Sequence, residues 1–133
     1  ILGFAAACAS LSPALKEHIQ KEKALLERCI AAIEEIPGVV INGAHEAPHI
    51  LNLSIPGVPT QNTINILQER GICVSAGSAC AKGHRSHTLT AMKLSPENMD
   101  GSFRISLCKD TTEAELDTLV AAIREDIVAR YIK

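Results

Sequence analysis

A chain of 133 residues is long enough for one compact domain, and 47% hydrophobic with 21% charged residues is typical of a globular protein. A net charge of −2 argues against the broad basic surface that holds nucleic acid or an acidic membrane. Only 2% of the residues are aromatic, which disfavours binding of single-stranded nucleic acid by base stacking.

The N-terminal third predicts two helical segments. Residues 2–10 are small and apolar, which indicates a helix packed on another surface. Ser12 and Pro13 suit the N-cap and the first position of a second helix, and Pro37 with Gly38 ends its pattern. Apolar residues recur at three- and four-residue steps between these signals. They are Leu15, Ile19, Leu26, Cys29 or Ile30, and Ile33.

The middle of the chain predicts three short strands and a helix. Residues 39–43 form a short apolar strand that ends in a turn. Residues 49–57 alternate between apolar and polar, as expected for a half-buried strand. A helix over residues 60–71 is closed by Gly71, and residues 72–75 read as another strand.

The C-terminal third predicts a short helix over residues 86–94, with Ser86 as its N-cap. Residues 102–107 alternate as a strand. Thr112 and Glu115 form a capping box that begins the last helix. The buried stripe of that helix is Leu116, Leu119, Val120, Ile123 and Ile127.

This order of elements predicts an α+β fold, in which a small, mostly antiparallel sheet has helices packed on one side. No apolar run approaches the roughly 18 residues that span a bilayer, so no membrane association is expected. We expect residues 1–133 to be one small domain of a longer protein, because the chain begins without Met inside a helical pattern.

The five cysteines are odd in number and irregularly spaced, which predicts reduced thiols in a cytoplasmic protein. Four of them, Cys8, Cys29, Cys73 and Cys108, lie on or beside apolar patterns. They are expected to be small buried hydrophobic residues. Cys80 differs, because the segment "SAGSACAKGHRSH" that contains it has no apolar pattern.

Cys80 is a candidate nucleophile. Small residues surround it, and Lys82, His84 and Arg85 follow closely, so nearby positive charge favours the thiolate. Arg104 is a candidate partner, because it lies on the polar face of a predicted strand and its guanidinium matches a carboxylate. An ordinary surface salt bridge is the alternative for Arg104.

A zinc or redox site is the competing hypothesis for the same cysteine. Cys73, Cys80, His84 and His87 supply two sulfurs and two imidazoles. Structural zinc sites usually begin with two cysteines two to four residues apart, whereas Cys73 and Cys80 are seven apart. The spacing therefore disfavours zinc.

Three stretches carry a family resemblance. "PHILNLSIPGV" (48–58), "GICVSAGSAC" (71–80) and "GSFRISL" (101–107) resemble the C-terminal part of cysteine desulfurases, pyridoxal-phosphate enzymes of fold type I in the class V aminotransferase family. The resemblance is collinear over nearly the whole chain. Family members often have glycine and arginine where this chain has Cys108 and Lys109.

The resemblance implies that Cys80 is the catalytic cysteine, which takes sulfur from L-cysteine as a persulfide and releases L-alanine. It implies that Arg104 binds the substrate carboxylate. It also implies a homodimeric full-length enzyme that passes sulfur to an acceptor or scaffold protein, for iron–sulfur cluster or thiocofactor assembly. A module that only binds such a protein is the alternative function.

The resemblance further implies that the pyridoxal phosphate site lies in a large domain absent from this chain. The family's Schiff-base lysine, ring-stacking histidine and phosphate-binding groups belong to that domain, so we expect the isolated chain to lack cofactor and activity. No lysine here matches the family's motif. The lysines are Lys16, Lys21, Lys23, Lys82, Lys93, Lys109 and Lys133.

Overall fold

The computed structural model describes residues 1–44, 46–76 and 86–132. The helices are α1 (Leu2–Leu11), α2 (Leu15–Glu34), α3 (Thr60–Glu69), α4 (His87–Ala91), α5 (Pro96–Asp100), α6 (Glu113–Ala122) and α7 (Ala129–Tyr131). The strands are β1 (Val40–Asn42), β2 (Ile50–Ser54) and β3 (Ser102–Ser106). A 3₁₀ turn (Ser12–Ala14) joins α1 to α2, and a π-helical segment (Ile123–Val128) joins α6 to α7.

The three strands form an antiparallel sheet in the order β1-β2-β3, which confirms the predicted α+β class. Leu53 of β2, the middle strand, lies opposite Ile41 on one side and Phe103 on the other. Because side chains alternate along a strand, these three share one face of the sheet. Leu53 and Phe103 are completely buried there.

Four of the helical segments cover this apolar face. The C-terminal half of α2, the α6 helix and the π-helical segment pack together, and α3 closes the core beside them. The buried side chains are almost all aliphatic, because the chain has only three aromatic residues. The most deeply buried are Ile33, Leu53, Ile55, Leu67, Phe103, Ile123 and Ile127.

The capping signals at three helix ends are confirmed. The Thr112 hydroxyl accepts from the Glu115 backbone N–H at 3.3 Å, while the Glu115 carboxylate accepts from the Thr112 N–H at 2.8 Å. The Ser86 side chain caps α4 by accepting from the Leu89 N–H. Gly71 follows the C-terminus of α3 with a φ of +74°, a conformation that glycine adopts without strain.

The predicted N-cap at Ser12 is wrong. Ser12 has helical dihedral angles, and the residue that precedes α2 is Ala14, which makes no side-chain cap. An N-cap needs an extended backbone, as Ser95 has before α5. The Ser95 side chain accepts from the Asn98 N–H at 3.2 Å. The same Ser-Pro signal therefore begins α5, a helix that the sequence analysis did not predict.

The predicted strand over residues 72–75 is also wrong. Only Ser75 pairs, in an isolated antiparallel bridge with Arg104 of β3. The side chains of Ile72 and Val74 are partly buried against the core, which explains the apolar pattern without a strand ladder.

In the part of the chain that the structure describes, no helix is both long and apolar enough to span a bilayer.

The α1 helix has no buried residue. Its Leu2 and Phe4 side chains are 87% and 76% exposed, and Leu15 and Ile19 at the start of α2 are also exposed. The predicted apolar stripe of α2 is therefore buried only in its C-terminal half. Residues 1–15 carry no charged side chain, so α1 presents an apolar surface with no covering partner among the described residues.

Candidate functional site

Arg104 lies at the centre of β3, on the face of the sheet opposite the core. Phe103 and Ile105 point into the core, and Arg104 and Ser106 are exposed on the other face. The Arg104 backbone N–H donates to the Ser75 carbonyl at 2.7 Å, and the Ser75 N–H donates back at 3.1 Å. This bridge joins β3 to the segment that leads directly to Cys80.

The guanidinium of Arg104 makes no ion pair with the described residues. Its Nε donates to the Ser106 hydroxyl at 3.3 Å. The four other described arginines each lie within 4.0 Å of a carboxylate: Arg28, Arg70, Arg124 and Arg130. A surface salt bridge within the described ranges therefore does not account for Arg104. Residues 77–85 contain no acidic residue.

A chain of polar side chains lies beside Arg104 on the same face of the sheet. Asn52 is directly opposite Arg104 in the β2–β3 register. The Asn52 amide donates to the Phe103 carbonyl at 3.2 Å and accepts from Asn42 at 2.7 Å. Asn42 also donates to the Ser54 hydroxyl at 2.7 Å. These bonds hold the Asn52 side chain in place next to the arginine.

Cys80 lies outside the described residues, and so do His84 and Lys82. Of the proposed zinc ligands, only Cys73 and His87 are described. Within the described ranges, no three histidine, cysteine or carboxylate side chains come close enough to hold a metal ion. The zinc hypothesis, which the spacing of Cys73 and Cys80 disfavours, stays untested because Cys80 and His84 lie outside these ranges.

Three of the four cysteines expected in the core are exposed, so that prediction is wrong for Cys8, Cys73 and Cys108. Cys8 lies on the uncovered α1 helix, Cys73 precedes the Ser75 bridge, and Cys108 lies in the turn after β3. Only Cys29 on α2 is buried, and desolvation raises the pKa of its thiol to about 11. At neutral pH Cys29 is therefore an inert, protonated side chain.

Cys108 has the opposite electrostatic environment. Hydrogen bonds from the Asp110 backbone and then from the Thr111 hydroxyl lower the pKa of its thiol, with a Thr111 Oγ1 to Sγ distance of 3.7 Å. Hydrogen bonds to the charged form favour a thiolate. Sequence analysis missed this feature, because it depends on the fold of the turn over residues 108–111.

We expect Cys108 to be alkylated by iodoacetamide at a lower pH than an ordinary thiol, because its lowered pKa extends the thiolate to lower pH. Thr111→Val removes one donor and should shift the midpoint of the rate–pH profile upward. Mass spectrometry of each cysteine-containing peptide separates Cys108 from the slow, buried Cys29. A Cys108 midpoint that Thr111→Val leaves unchanged would contradict the assigned role of the Thr111 hydroxyl.

The described lysines lie on the surface of the domain. Each of their side chains is exposed. Lys21 donates to the Lys109 carbonyl at 2.7 Å, and Lys109 pairs with Asp110 at 2.8 Å. These are contacts on the surface of the domain.

The chain belongs to the aminotransferase class-V family, whose model matches residues 1–119. Within that family it is similar to cysteine desulfurases. It is 34% identical over 116 residues to the cysteine desulfurase of a Nostoc species, and this alignment covers 84% of this chain and 29% of the relative. It is 32% identical over 131 residues to the cysteine desulfurase IscS of Escherichia coli, covering 96% of this chain and 32% of the relative.

A solved structure supports the same relationship. The NifS-like protein of Rickettsia africae superposes with a TM-score of 0.81 and 29% sequence identity, covering 92% of this chain and 32% of that protein. The chain thus spans about a third of the length of the relatives it matches. The recognition of a class V aminotransferase segment similar to cysteine desulfurases is confirmed.

Proposed function

We propose that this chain is the small C-terminal domain of a cysteine desulfurase, in which Arg104 binds the carboxylate of L-cysteine and Cys80 receives its sulfur. One observation carries the proposal. Arg104 is the one described arginine with no carboxylate partner among the described residues, and it lies on the strand bridged to the segment that leads to Cys80. An exposed, unpaired guanidinium fork is suited to binding a substrate carboxylate in two parallel hydrogen bonds.

The proposed chemistry at Cys80 balances without an external oxidant. The Cys80 thiolate forms an S–S bond to the sulfur of the substrate, and the Cβ–S bond of the substrate breaks. The bonding electron pair stays on Cβ, which takes a proton to give the methyl group of alanine. Cys80 keeps the sulfur as a persulfide, and the pyridoxal cofactor of the assembled enzyme supplies the electron sink for this cleavage.

The exposed α1 helix supports the inference that this is one domain of a larger protein. Burying an apolar side chain stabilises a protein by about 1.5–3 kcal/mol. With Leu2 and Phe4 largely exposed, the α1 helix lacks most of this stabilisation. A large cofactor-binding domain packed against α1 would recover it. The lengths of the relatives, about three times that of this chain, leave room for such a domain.

We propose that the persulfide on Cys80 is passed to an acceptor or scaffold protein for iron–sulfur cluster or thiocofactor assembly, by a homodimeric enzyme in the cytoplasm. The similarity to cysteine desulfurases supports the proposed sulfur transfer. The free cysteines in the described part of the chain support the proposed location. Isolated from the large domain, the chain is expected to hold no cofactor and to release no sulfide.

Reconstitution tests the proposal. The 133-residue chain, mixed with or fused to a cofactor-binding domain of the family, should release L-alanine and sulfide from L-cysteine. Cys80→Ser should lower the rate by about three orders of magnitude or more, because the nucleophile is lost. Alanine formation, measured by chromatography, reports the reaction without depending on the sulfur acceptor.

Cys108→Ser is the matched control, because Cys108 is an exposed thiol whose lowered pKa makes it nucleophilic as well. The assembled enzyme with Cys108→Ser should form alanine at the same rate as the unchanged protein. A Cys80→Ser variant that still forms alanine and sulfide at the full rate would refute the proposal. So would a high rate from the 133-residue chain alone.

A further inference from the structure

We propose that Ser106 is a positioning residue for Arg104, holding its Nε so that only the terminal Nη groups face the substrate carboxylate. The inference rests on the proposed role of Arg104 and deepens it. Ser106 lies two residues after Arg104 on the same face of β3, and its hydroxyl accepts the Nε–H at 3.3 Å. Neither composition nor family resemblance assigns this serine a role.

The backbone of Arg104 and the space beside it are fixed by contacts other than the one with Ser106. Both backbone groups of Arg104 are bonded to Ser75, so its pairing with Asn52 on the other side is of the non-hydrogen-bonded type. In such pairs the side chains of opposite residues are closest. The Asn52 amide is itself held by Asn42 and by the Phe103 carbonyl. Asn52 therefore limits the space for the arginine side chain on the β2 side.

The outer end of Arg104 would still rotate freely without a partner for the guanidinium. The guanidinium carries five N–H donors, one on Nε and four on the two Nη atoms. With Nε bonded to Ser106, the four Nη hydrogens remain for a ligand. A carboxylate then binds end-on, across both Nη atoms, rather than side-on across Nε and one Nη.

Fixing the guanidinium before the substrate arrives lowers the entropy lost on binding. The predicted consequence is a role in substrate affinity and not in the chemical step. A residue that contributes equally to ground-state and transition-state binding changes KM and leaves kcat unchanged. Ser106 should behave in this way, because the contact of its hydroxyl that the structure describes is with Arg104.

The first experiment measures the hydrogen bond itself in the 133-residue chain. The Nε–H resonance of Arg104, identified by its loss in Arg104→Lys, should exchange with water several-fold faster in Ser106→Ala. Ser106→Thr keeps the hydroxyl and should restore slow exchange. Equal exchange rates in the unchanged protein and Ser106→Ala would overturn the proposal without any reference to catalysis.

The second experiment measures kinetics in the enzyme assembled with a cofactor-binding domain. Ser106→Ala should raise KM for L-cysteine by about 3- to 10-fold with kcat within about twofold, and Ser106→Thr should recover most of the loss. Thr118→Ala removes another exposed hydroxyl, on α6, and should change neither constant.

Failure of the Ser106 positioning role and failure of the proposed Arg104 function give different results. If Ser106→Ala speeds the Nε–H exchange but changes KM no more than Thr118→Ala does, the positioning role is overturned while Arg104 keeps its own. If Arg104→Ala also leaves KM unchanged, the proposed function of Arg104 is refuted, and the inference about Ser106 fails with it.

Discussion

Arg104→Ala is expected to lower kcat/KM for L-cysteine by about 10- to 100-fold in the assembled enzyme. Hydrogen bonds to charged groups contribute about 1.5–3 kcal/mol, and each 1.4 kcal/mol corresponds to a factor of ten. The guanidinium is exposed, it is unpaired with any described carboxylate, and its Nε is held by Ser106. Removing it therefore removes the group proposed to bind the substrate carboxylate, without breaking an ion pair in the described part of the fold.

Arg124→Ala is the matched control. Arg124 is half-exposed and contacts Glu35 only weakly at 3.9 Å, so its loss should leave kcat/KM unchanged. Arg104→Lys keeps the charge but loses the planar fork, and it should recover only part of the activity. Steady-state kinetics with L-cysteine check all three variants. Full activity in Arg104→Ala would exclude Arg104 as the carboxylate ligand.

Phe103→Ala is expected to destabilise the 133-residue chain by about 3–5 kcal/mol, because it removes a large side chain from a fully packed site. Phe103 is 0% exposed, and it lies opposite Leu53 at the centre of the sheet. For a domain of this size, the loss corresponds to a fall in Tm of roughly 10–20 °C. Thermal unfolding followed by circular dichroism measures it.

The only other phenylalanine of the chain is an internal control. Phe4 is 76% exposed on α1, so Phe4→Ala should change the free energy of unfolding by no more than about 0.5 kcal/mol. In the assembled enzyme, where the proposed large domain would cover α1, the same substitution should destabilise the protein more strongly. A large destabilisation by Phe4→Ala in the isolated chain would show that α1 is packed there, contrary to the structure.

The elements that sequence analysis predicted correctly are those whose pattern is local. The alternation in β2 and β3 and the Thr112–Glu115 capping box depend on neighbouring residues, and the structure has all three. The C-terminal half of α2 follows its apolar stripe as well. Its N-terminal half does not, because Leu15 and Ile19 have an apolar pattern but no covering partner among the described residues.

The failures depend on tertiary contacts. Residues 72–75 have a strand-like composition, but only Ser75 finds a backbone partner. The exposed positions of Cys73 and Cys108 depend on where the chain turns away from the core. The π-helical geometry of Ile123–Val128 leaves no mark on the apolar periodicity, since Ile123 and Ile127 are buried in either kind of helix.

The site was predictable in part. The position of Arg104 on the polar face follows from the alternation around it, and the structure agrees. Its bond to Ser106 could have been suspected, because residues two apart share a face of a strand. Two other features of Arg104 could be known only from the structure. They are its lack of an ion pair within the described ranges and its bridge to Ser75.

The bridge between Ser75 and Arg104 also sets an upper limit on the distance of Cys80 from the sheet. Five peptide units connect Ser75 to Cys80, and an extended chain covers at most about 3.6 Å per residue. Under the proposed function, the sulfur on Cys80 therefore lies no further than roughly 18 Å from the bridge, plus the length of one side chain. A protein that collected this sulfur would have to bring its own thiol within that radius of the sheet edge, so the bridge would limit which acceptors can be served.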